Sequence, residues 1–475
     1  MKKVYMSFSS DFLHYGHIEL MKKAAAMGEL IIGVLSDDVI ACYKKPPLVS
    51  FENRCKLFED FGFVTRVIKK DELSYRKILE EYHPDIIVHG DDWKTGPKAS
   101  VRTELIELLK EYGGELVEFP YNVENSVNLV EDVFTGRLSM PEIRRGMLKR
   151  LMRLKPYIRV MEAHDGITGL IVENAAYESE HGRVEYDAMW ESSLCDSTSR
   201  GKPDIELIDW SDRIARINEI MEVTTKPIIV DGDTGGQTEH FIYVVQTLER
   251  IGVSAVIIED KTGTKRNSLF GTDVKQTQDE PEHFADKIRA AKKVLRTGDF
   301  MIIARIESLI LKKGVDDAVE RARCYVRGGA DGIMIHSKEK TPDEVYEFCE
   351  RFRKEFPDVP IVVVPTTYNN IPERELAEHG INVIIHANHL IRSAFPAMEK
   401  TAVEILKNGC SQCVDDACMP IKKVISFIPV NENDKNGEKS KACLCTYGSR
   451  YSTSRTYQHN KEGIRAWGSY GRAFY

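Results

Sequence analysis

The chain has 475 residues, 42% hydrophobic and 29% charged, with a formal net charge of -8 from 66 basic and 74 acidic side chains. That length exceeds one ordinary domain and the apolar share fills sizeable cores, which excludes disorder throughout, collagen-like chains and disulfide scaffolds. The acidic balance argues against nucleic acid as a partner, no run reaches the roughly 18 apolar residues of a membrane span, and ten cysteines behind an N-terminus with no apolar leader read as reduced thiols in a cytoplasmic protein.

Short apolar runs alternate with helical patterns almost throughout, the signature of parallel sheets with crossover helices. The first strands are expected at Val4–Phe8, Ile31–Leu35, Val64–Ile68, Asp85–Val88 and Glu115–Phe119, with helices such as Ile18–Met27 and Arg76–Tyr82 between them. Residues 1–130 therefore read as an α/β, Rossmann-like domain with ligands at the carboxyl ends of its strands. His14-Tyr15-Gly16-His17 falls between the first strand and the first long helix. At a helix N-terminus the N–H groups and dipole favour phosphate, and two imidazoles can stabilise charge on a departing pyrophosphate.

The pattern weakens from Asn122 to Leu138, and a linker with a basic helix is expected over 131–155. Pro141–Leu154 then reads as a helix, with Ile143, Met147, Leu148, Leu151 and Met152 at helical spacing. Its other face is basic (Arg144, Arg145, Lys149, Arg150 and Arg153), and a solvated face is favoured over a docking surface.

Residues 156–429 are more regular. Eight strands are expected: Ile158–Glu162, Tyr186–Trp190, Pro227–Val230, Ala255–Ile258, Met301–Ala304, Gly332–Ile335, Ile361–Val364 and Val383–Ile385. Helical stretches such as Trp210–Val223, Phe284–Leu295, Asp316–Arg327 and Pro342–Phe356 separate most of them, which is the plan of a TIM-type (β/α)8 barrel. Each apolar run ends in polar chemistry, from Glu162-Ala-His164-Asp165 through Asp231-Gly-Asp233 and Glu259-Asp260 to Asn388-His389. Strand ends of such a barrel converge on one mouth, so these groups are expected to meet. Asp231, Asp233, Glu259 and Asp260 cluster hard oxygen ligands, a set that favours Mg²⁺. Arg305 and Lys265 add positive charge beside them, which suits a phosphorylated or carboxylated substrate.

The last stretch, 430–475, changes character. Its eight Lys/Arg against four acids leave -12 on the rest of the chain, and no core pattern is visible, so it reads as a disordered or peripheral basic tail. Cys410-x-x-Cys413, Cys418, Cys443 and Cys445 lack a second clean knuckle for zinc and read as free thiols.

At the barrel residues the sequence resembles the phosphoenolpyruvate mutase family of the isocitrate lyase superfamily. The resemblance rests on Glu162-Ala-His-Asp165, Trp190-Glu-Ser-Ser-Leu194, Asp231-Gly-Asp-Thr-Gly235, Glu259-Asp-Lys261, Lys265-Arg-Asn-Ser268 and Ala304-Arg305. It implies interconversion of phosphoenolpyruvate and phosphonopyruvate, with a C–P bond formed, in a dimer or tetramer. It further implies that Asp231 ligates Mg²⁺ directly, while Asp233, Glu259 and Asp204 hold the ion's waters. Trp190, Ser192, Ser193, Leu194 and Ser337 would bind substrate. Arg305 and His336 would cradle the phosphoryl group, Lys265 and Asn267 would sit on a gating loop, and Asp204 is the candidate transient nucleophile. Superfamily C–C lyases place an acid–base thiol in that loop, and here Asn267 offers only a neutral amide. Phosphonopyruvate hydrolases share most of the same mouth and remain the rival.

The first block, through its HxGH motif with Lys44-Lys45, Asn53-Arg54 and Gly90-Asp-Asp-Trp93, resembles the HxGH cytidylyltransferases. The resemblance implies CTP as substrate, CMP transfer to a phosphonate, and a site of His14, His17, Lys44, Arg54, Asp91 and Asp92. A silent nucleotide-binding module is the alternative.

Overall fold

β1 (Lys3–Phe8) and β2 (Glu29–Leu35) are buried almost continuously, as strands covered on both faces must be. With β3 (Arg66–Lys70), β4 (Ile86–Gly90) and β5 (Glu115–Phe119) they form a parallel sheet in the order β3-β2-β1-β4-β5. The winding therefore reverses beside β1, which opens a cleft between the carboxyl ends of β1 and β4. The computed structural model describes residues 1–9, 11–94, 98–120, 136–179, 182–263, 265–268 and 275–427. The basic tail and Cys443 and Cys445 lie outside these.

β3 starts two residues later than its apolar run, because Phe61–Val64 closes a turn through Val64 N–H to Phe61 O (2.8 Å). β4 likewise starts after Asp85, whose carboxylate accepts from Lys3 N–H at 2.7 Å.

The second sheet closes on itself. In chain order its strands are β6 (Ile158–Glu162), β7 (Ala188–Glu191), β8 (Ile228–Asp231), β9 (Ala255–Glu259), β10 (Met301–Ile306), β11 (Gly332–Ile335), β12 (Ile361–Val363) and β13 (Val383–His386). Each pairs in parallel with the next and β13 pairs with β6. All eight expected strands are present, shifted by at most two residues at either end. Helical residues such as Phe241, Phe284, Ile288 and Phe348 pack on the outside of the barrel, and Val160, Ile229, Ile257, Met301 and Val383 belong to the inner layer.

The helix Pro141–Leu154 plugs the amino-terminal base of this barrel through Met147, Leu148 and Leu151. Its basic face is not solvated, contrary to the sequence reading. Arg144 is fully buried and donates to Thr224 O and to Met221 O (3.1 Å); Arg145 donates to Glu249 O at 2.8 Å. Lys149 pairs with Asp331 (3.5 Å) and Arg150 with Asp37 of the first domain (3.3 Å), leaving Arg153 exposed. The reason is that barrel helices end at the base with unpaired carbonyls, which a guanidinium satisfies.

The helix after β13, His389–Asn408, buries no residue in its own chain, and Phe395, Met398 and Leu406 are 65%, 62% and 82% exposed. Among the described residues no helix is long and apolar enough to cross a membrane. Cys410, Cys413 and Cys418 are free and exposed.

Candidate active sites

The carboxyl ends of the barrel strands surround one cavity, and most of the sequence-predicted residues line it. Trp190, Ser192, Ser193, Leu194, Asp204, Asp231, Glu259, Lys265, Asn267, Arg305 and His336 all face it. Ser268, Thr366 and Asn388 join them. Ser337 does not, since its hydroxyl turns to Glu344 behind the strand. Asp260 also points away, taking hydrogen bonds from Tyr325 (2.6 Å), Gln278 (2.8 Å) and the Glu307 N–H (3.0 Å). Neighbouring residues on an extended segment face opposite sides, so only one of Glu259 and Asp260 could enter the cavity.

The Asp231-Gly-Asp-Thr turn is built for a close approach. A Cβ on Gly232 would meet Val256 and Ile258 at 2.7 Å, so only glycine fits there. Asp233 takes a left-handed φ of 53°, costly for a non-glycine and held by its surroundings. Arg213, buried, donates to Asp233 (3.2 Å) and Glu191 (2.5 Å), and Glu206 accepts from Thr234 N–H and Oγ1 at 2.8 and 2.7 Å. Sequence reasoning missed Arg213 and Glu206. They come from the segment after β7, and no spacing linked them to the turn.

Lys265 places its ammonium among Asp204 (2.7 Å), Asp233 and the Ser193 hydroxyl (2.6 Å). Burial opposes that charge, yet Asp233, Asp231, Asp204 and Glu259 together hold it well above its ordinary range. Burial also acts against Asp231, but Lys265, Arg305, Arg213 and the Ser193 hydroxyl (2.8 Å) keep it below the usual carboxylate range. Burial pushes Asp233 up against the pull of Lys265 and Arg213, and Glu259 to about 7 against the pull of Arg305 and Lys261.

The residues of this segment are held at both ends. Asn267 Nδ2 donates to Asp204 Oδ2 at 3.1 Å. The Ser268 hydroxyl donates to Glu307 (2.6 Å) and accepts from Arg305 (2.6 Å) and Lys261 (3.0 Å). Arg305 also stands 2.9 Å from His336 Nδ1. Glu307 Oε1 stands 3.3 Å from the same nitrogen, but the nearer guanidinium can only donate, which favours an accepting Nδ1 with the proton on Nε2. Burial and Arg305 lower the His336 pKa, consistent with a neutral ring.

The donor set fits a hard divalent cation. Asp231 and Glu259 bring carboxylates to the cavity with Asp233 beside it, and Glu259 Oε1 is buried without a hydrogen bond, although Lys261 stands 3.1 Å away. A separate buried group, Glu162, His164 and Cys195, has ligand atoms within 4.8 Å of one another. It lies outside the cavity lining, and the Cys195 thiol donates to Ala387 O (3.4 Å).

The first domain has its own cleft, at the switch point between β1 and β4, lined by Ser7, Ser9, His17, His89, Gly90 and Lys98 among others. His14 caps the helix Tyr15–Ala25, its N–H meets His17 Nδ1 at 3.5 Å, and the two rings stack with centroids 3.8 Å apart. Burial lowers both, His17 to about 4 with help from His14 and Lys44. Lys44 donates at 2.9 Å to the carbonyl of Ser9, which lines the cleft, while Lys44 itself lines a separate crevice with Pro46, Met147 and Leu151. Arg54 is instead buried beneath the cleft, bonded to Leu35 O (2.7 Å), Val49 O (3.3 Å) and Asp37 (2.6 Å). Asp91 lies on the turn Asp91–Lys94 after β4. Asp92 shares that turn; its side chain is outside the described residues. His89 and Lys98 were not foreseen, and His89 stacks on Trp93 at 3.8 Å.

A (β/α)8 barrel with cations and carboxylates gathered at its mouth, joined to a nucleotide-type α/β domain, defines an enzyme of small anionic substrates. Residues 148–406 match the family described as phosphoenolpyruvate phosphomutase, and residues 9–146 match the cytidylyltransferase-like family. The chain belongs to the phosphoenolpyruvate phosphomutase family and carries a cytidylyltransferase-like domain in front of it. It is 32% identical to a phosphoenolpyruvate phosphomutase of Streptomyces hygroscopicus over 65% of this chain and 96% of that one. It is 35% identical to a phosphonopyruvate hydrolase of Variovorax sp. (strain Pal2) over 56% of this chain and 88% of that one. The crystal structure of a phosphonopyruvate hydrolase complex with oxalate and Mg²⁺ superposes with a TM-score of 0.51, at 31% identity, over 62% of this chain and 94% of that one.

Proposed function

We propose that the barrel interconverts phosphoenolpyruvate and phosphonopyruvate and that the first domain transfers CMP from CTP to a phosphonate. The observation that carries the barrel reading is the closed Lys265–Ser268 segment. It sets an ammonium and a neutral amide over Asp204, with no thiol for proton shuttling. Asp231, with Asp233 and Glu259, would hold Mg²⁺, which supplies charge neutralisation at the substrate. The hydrolase relative whose structure contains Mg²⁺ supports that choice.

In this reading the Ser192–Leu194 turn orients the substrate carboxylate. Arg305 and the His336 Nε2–H hold the phosphoryl oxygens while the P–O bond at C2 breaks and the P–C bond at C3 forms. Asp204 is positioned to accept the phosphoryl group between those events, and Lys265 offsets its charge. The segment excludes water while the enolate waits. In the first domain, His14 and His17 stabilise pyrophosphate as it leaves the α-phosphorus of CTP. The uncovered apolar face of His389–Asn408 supports a homo-oligomer, dimer or tetramer, in which that helix packs on a neighbouring copy.

Identity to the hydrolase, 35%, is no lower than the 32% to the mutase, so phosphonopyruvate hydrolysis is the second reading. Phosphorus NMR of the purified protein with phosphonopyruvate and Mg²⁺ separates them. Phosphoenolpyruvate as main product supports the mutase; inorganic phosphate with pyruvate replaces it by the hydrolase.

A further inference from the structure

The segment that carries Lys44 is gripped from both sides. Towards its own domain, Lys44 donates to Ser9 O at 2.9 Å, and Asp11 accepts from the N–H groups of Leu48 (2.8 Å) and Val49 (3.1 Å). These bonds tie residues 44–49 to the stretch that leads into His14. Towards the barrel, Lys45 Nζ lies 3.4 Å from both Glu173 Oε1 and Thr225 Oγ1. Leu48 packs on the apolar plug at the barrel base, and Pro46 shares a crevice with Met147 and Leu151 of the linker helix.

Glu173 is a fixed anchor. It is nearly buried, and its oxygens already accept from Thr225 Oγ1 (2.6 Å), Thr225 N–H (3.1 Å) and Lys226 N–H (3.2 Å). A carboxylate so held cannot follow a moving partner, so the partner is held to it. Pro46 and Pro47 stiffen the short span that follows Lys45. Asp37 adds a second tie, since it receives Arg54 (2.6 Å) from beneath the cleft and Arg150 (3.3 Å) from the linker helix.

We propose that the barrel base completes the nucleotide site of the first domain, with Glu173 acting through Lys45 to hold residues 44–49 so that Lys44 stays bonded to Ser9 beside the cleft. Lys45 and Glu173 are positioning residues, and their function rests on the cytidylyl-transfer reading above. Pre-setting a cationic loop removes part of the ordering cost of binding, so the effect falls on affinity for CTP rather than on the chemical step.

The full-length chain tests this with Lys45→Met, which keeps the aliphatic stem and removes the ammonium, and Lys45→Arg, which keeps the charge. In Lys45→Met, amide exchange across 44–50 and 11–14 should quicken at least roughly tenfold. KM for CTP in pyrophosphate release should rise about tenfold while kcat stays within about twofold. Lys45→Arg should restore both, and barrel turnover should be unchanged in each. The Lys45→Met, Glu173→Gln double variant should show no further rise in KM for CTP and no faster exchange across 44–50 than Lys45→Met alone, because the Lys45–Glu173 contact is lost once and the Thr225 and Lys226 bonds of Glu173 lie in the barrel. Unchanged exchange and KM, additive losses in the double variant, or a fall in kcat at constant KM would overturn the proposal. If the wild type releases no pyrophosphate, the cytidylyl reading fails on its own, and the exchange rates still decide whether the barrel holds the loop.

Discussion

Asn267 and His17 are the residues whose surroundings most directly predict a measurement. Asn267 bonds Asp204 and lines the barrel cavity, and in the mutase reading proposed above its amide keeps water from the phosphoryl group. Asn267→Ala should lose at least roughly tenfold in phosphoenolpyruvate formation from phosphonopyruvate, about 1.4 kcal/mol of transition-state stabilisation, with a larger share of inorganic phosphate. Phosphorus NMR reads both products, and an unchanged product ratio would remove water exclusion from the role of Asn267. For His17, burial followed by His14 and Lys44 lowers the folded pKa to about 4 from 6.5. Below about pH 6.5 the unfolded chain takes the proton first, so this group's contribution to stability is complete above that pH and is lost as pH falls towards about 4. The ceiling is about 3 kcal/mol by linkage, less because part of the ring meets solvent. The Tm of the first domain's transition should therefore fall more steeply from pH 7 to 4.5 in the wild type than in His17→Asn. Parallel curves would contradict it.

Among the elements, the linker helix carries the clearest expectation. Arg144→Met keeps side-chain length but leaves the carbonyls of Met221 and Thr224 without their donor. Stranding buried polar groups should cost roughly 2–4 kcal/mol. Arg153→Met, on the exposed side of the same helix, should change stability by less than about 0.5 kcal/mol. Urea denaturation followed by tryptophan fluorescence compares the two, and equal effects would return the helix to a solvated role.

For the whole molecule, the barrel cavity opens at the strand carboxyl ends, the second cleft lies within the first domain, and that domain meets the barrel base through Leu48 and Lys45. The two clefts share no lining residue, so the two chemistries should run independently apart from the ties at Lys45 and Asp37. The helix His389–Asn408 follows β13 and buries none of its residues. In the proposed oligomer, Phe395→Glu with Met398→Glu should shift the protein to monomer in sedimentation velocity while the monomer stays folded. An unchanged sedimentation coefficient would mean that face is covered by something else.

The positions of the strands, the barrel plan and the charged strand ends were legible in the sequence because they depend on local periodicity. An apolar run of four or five residues between helical stretches reads as a buried parallel strand wherever it finally pairs. The Asp231-Gly-Asp233 turn was legible for the same reason, since its glycine and its carboxylates are neighbours in the chain. What the tertiary structure decided was direction. Glu259 faces the cavity and Asp260 does not; Ser337 turns behind its strand; Arg54 lies under the cleft rather than in it. The largest reversal was the basic helix, whose charges meet carbonyls at the ends of distant helices. A sequence pattern shows how residues repeat along one element. It cannot show which unpaired backbone groups another element will bring within reach, because that depends on where the chain closes in space.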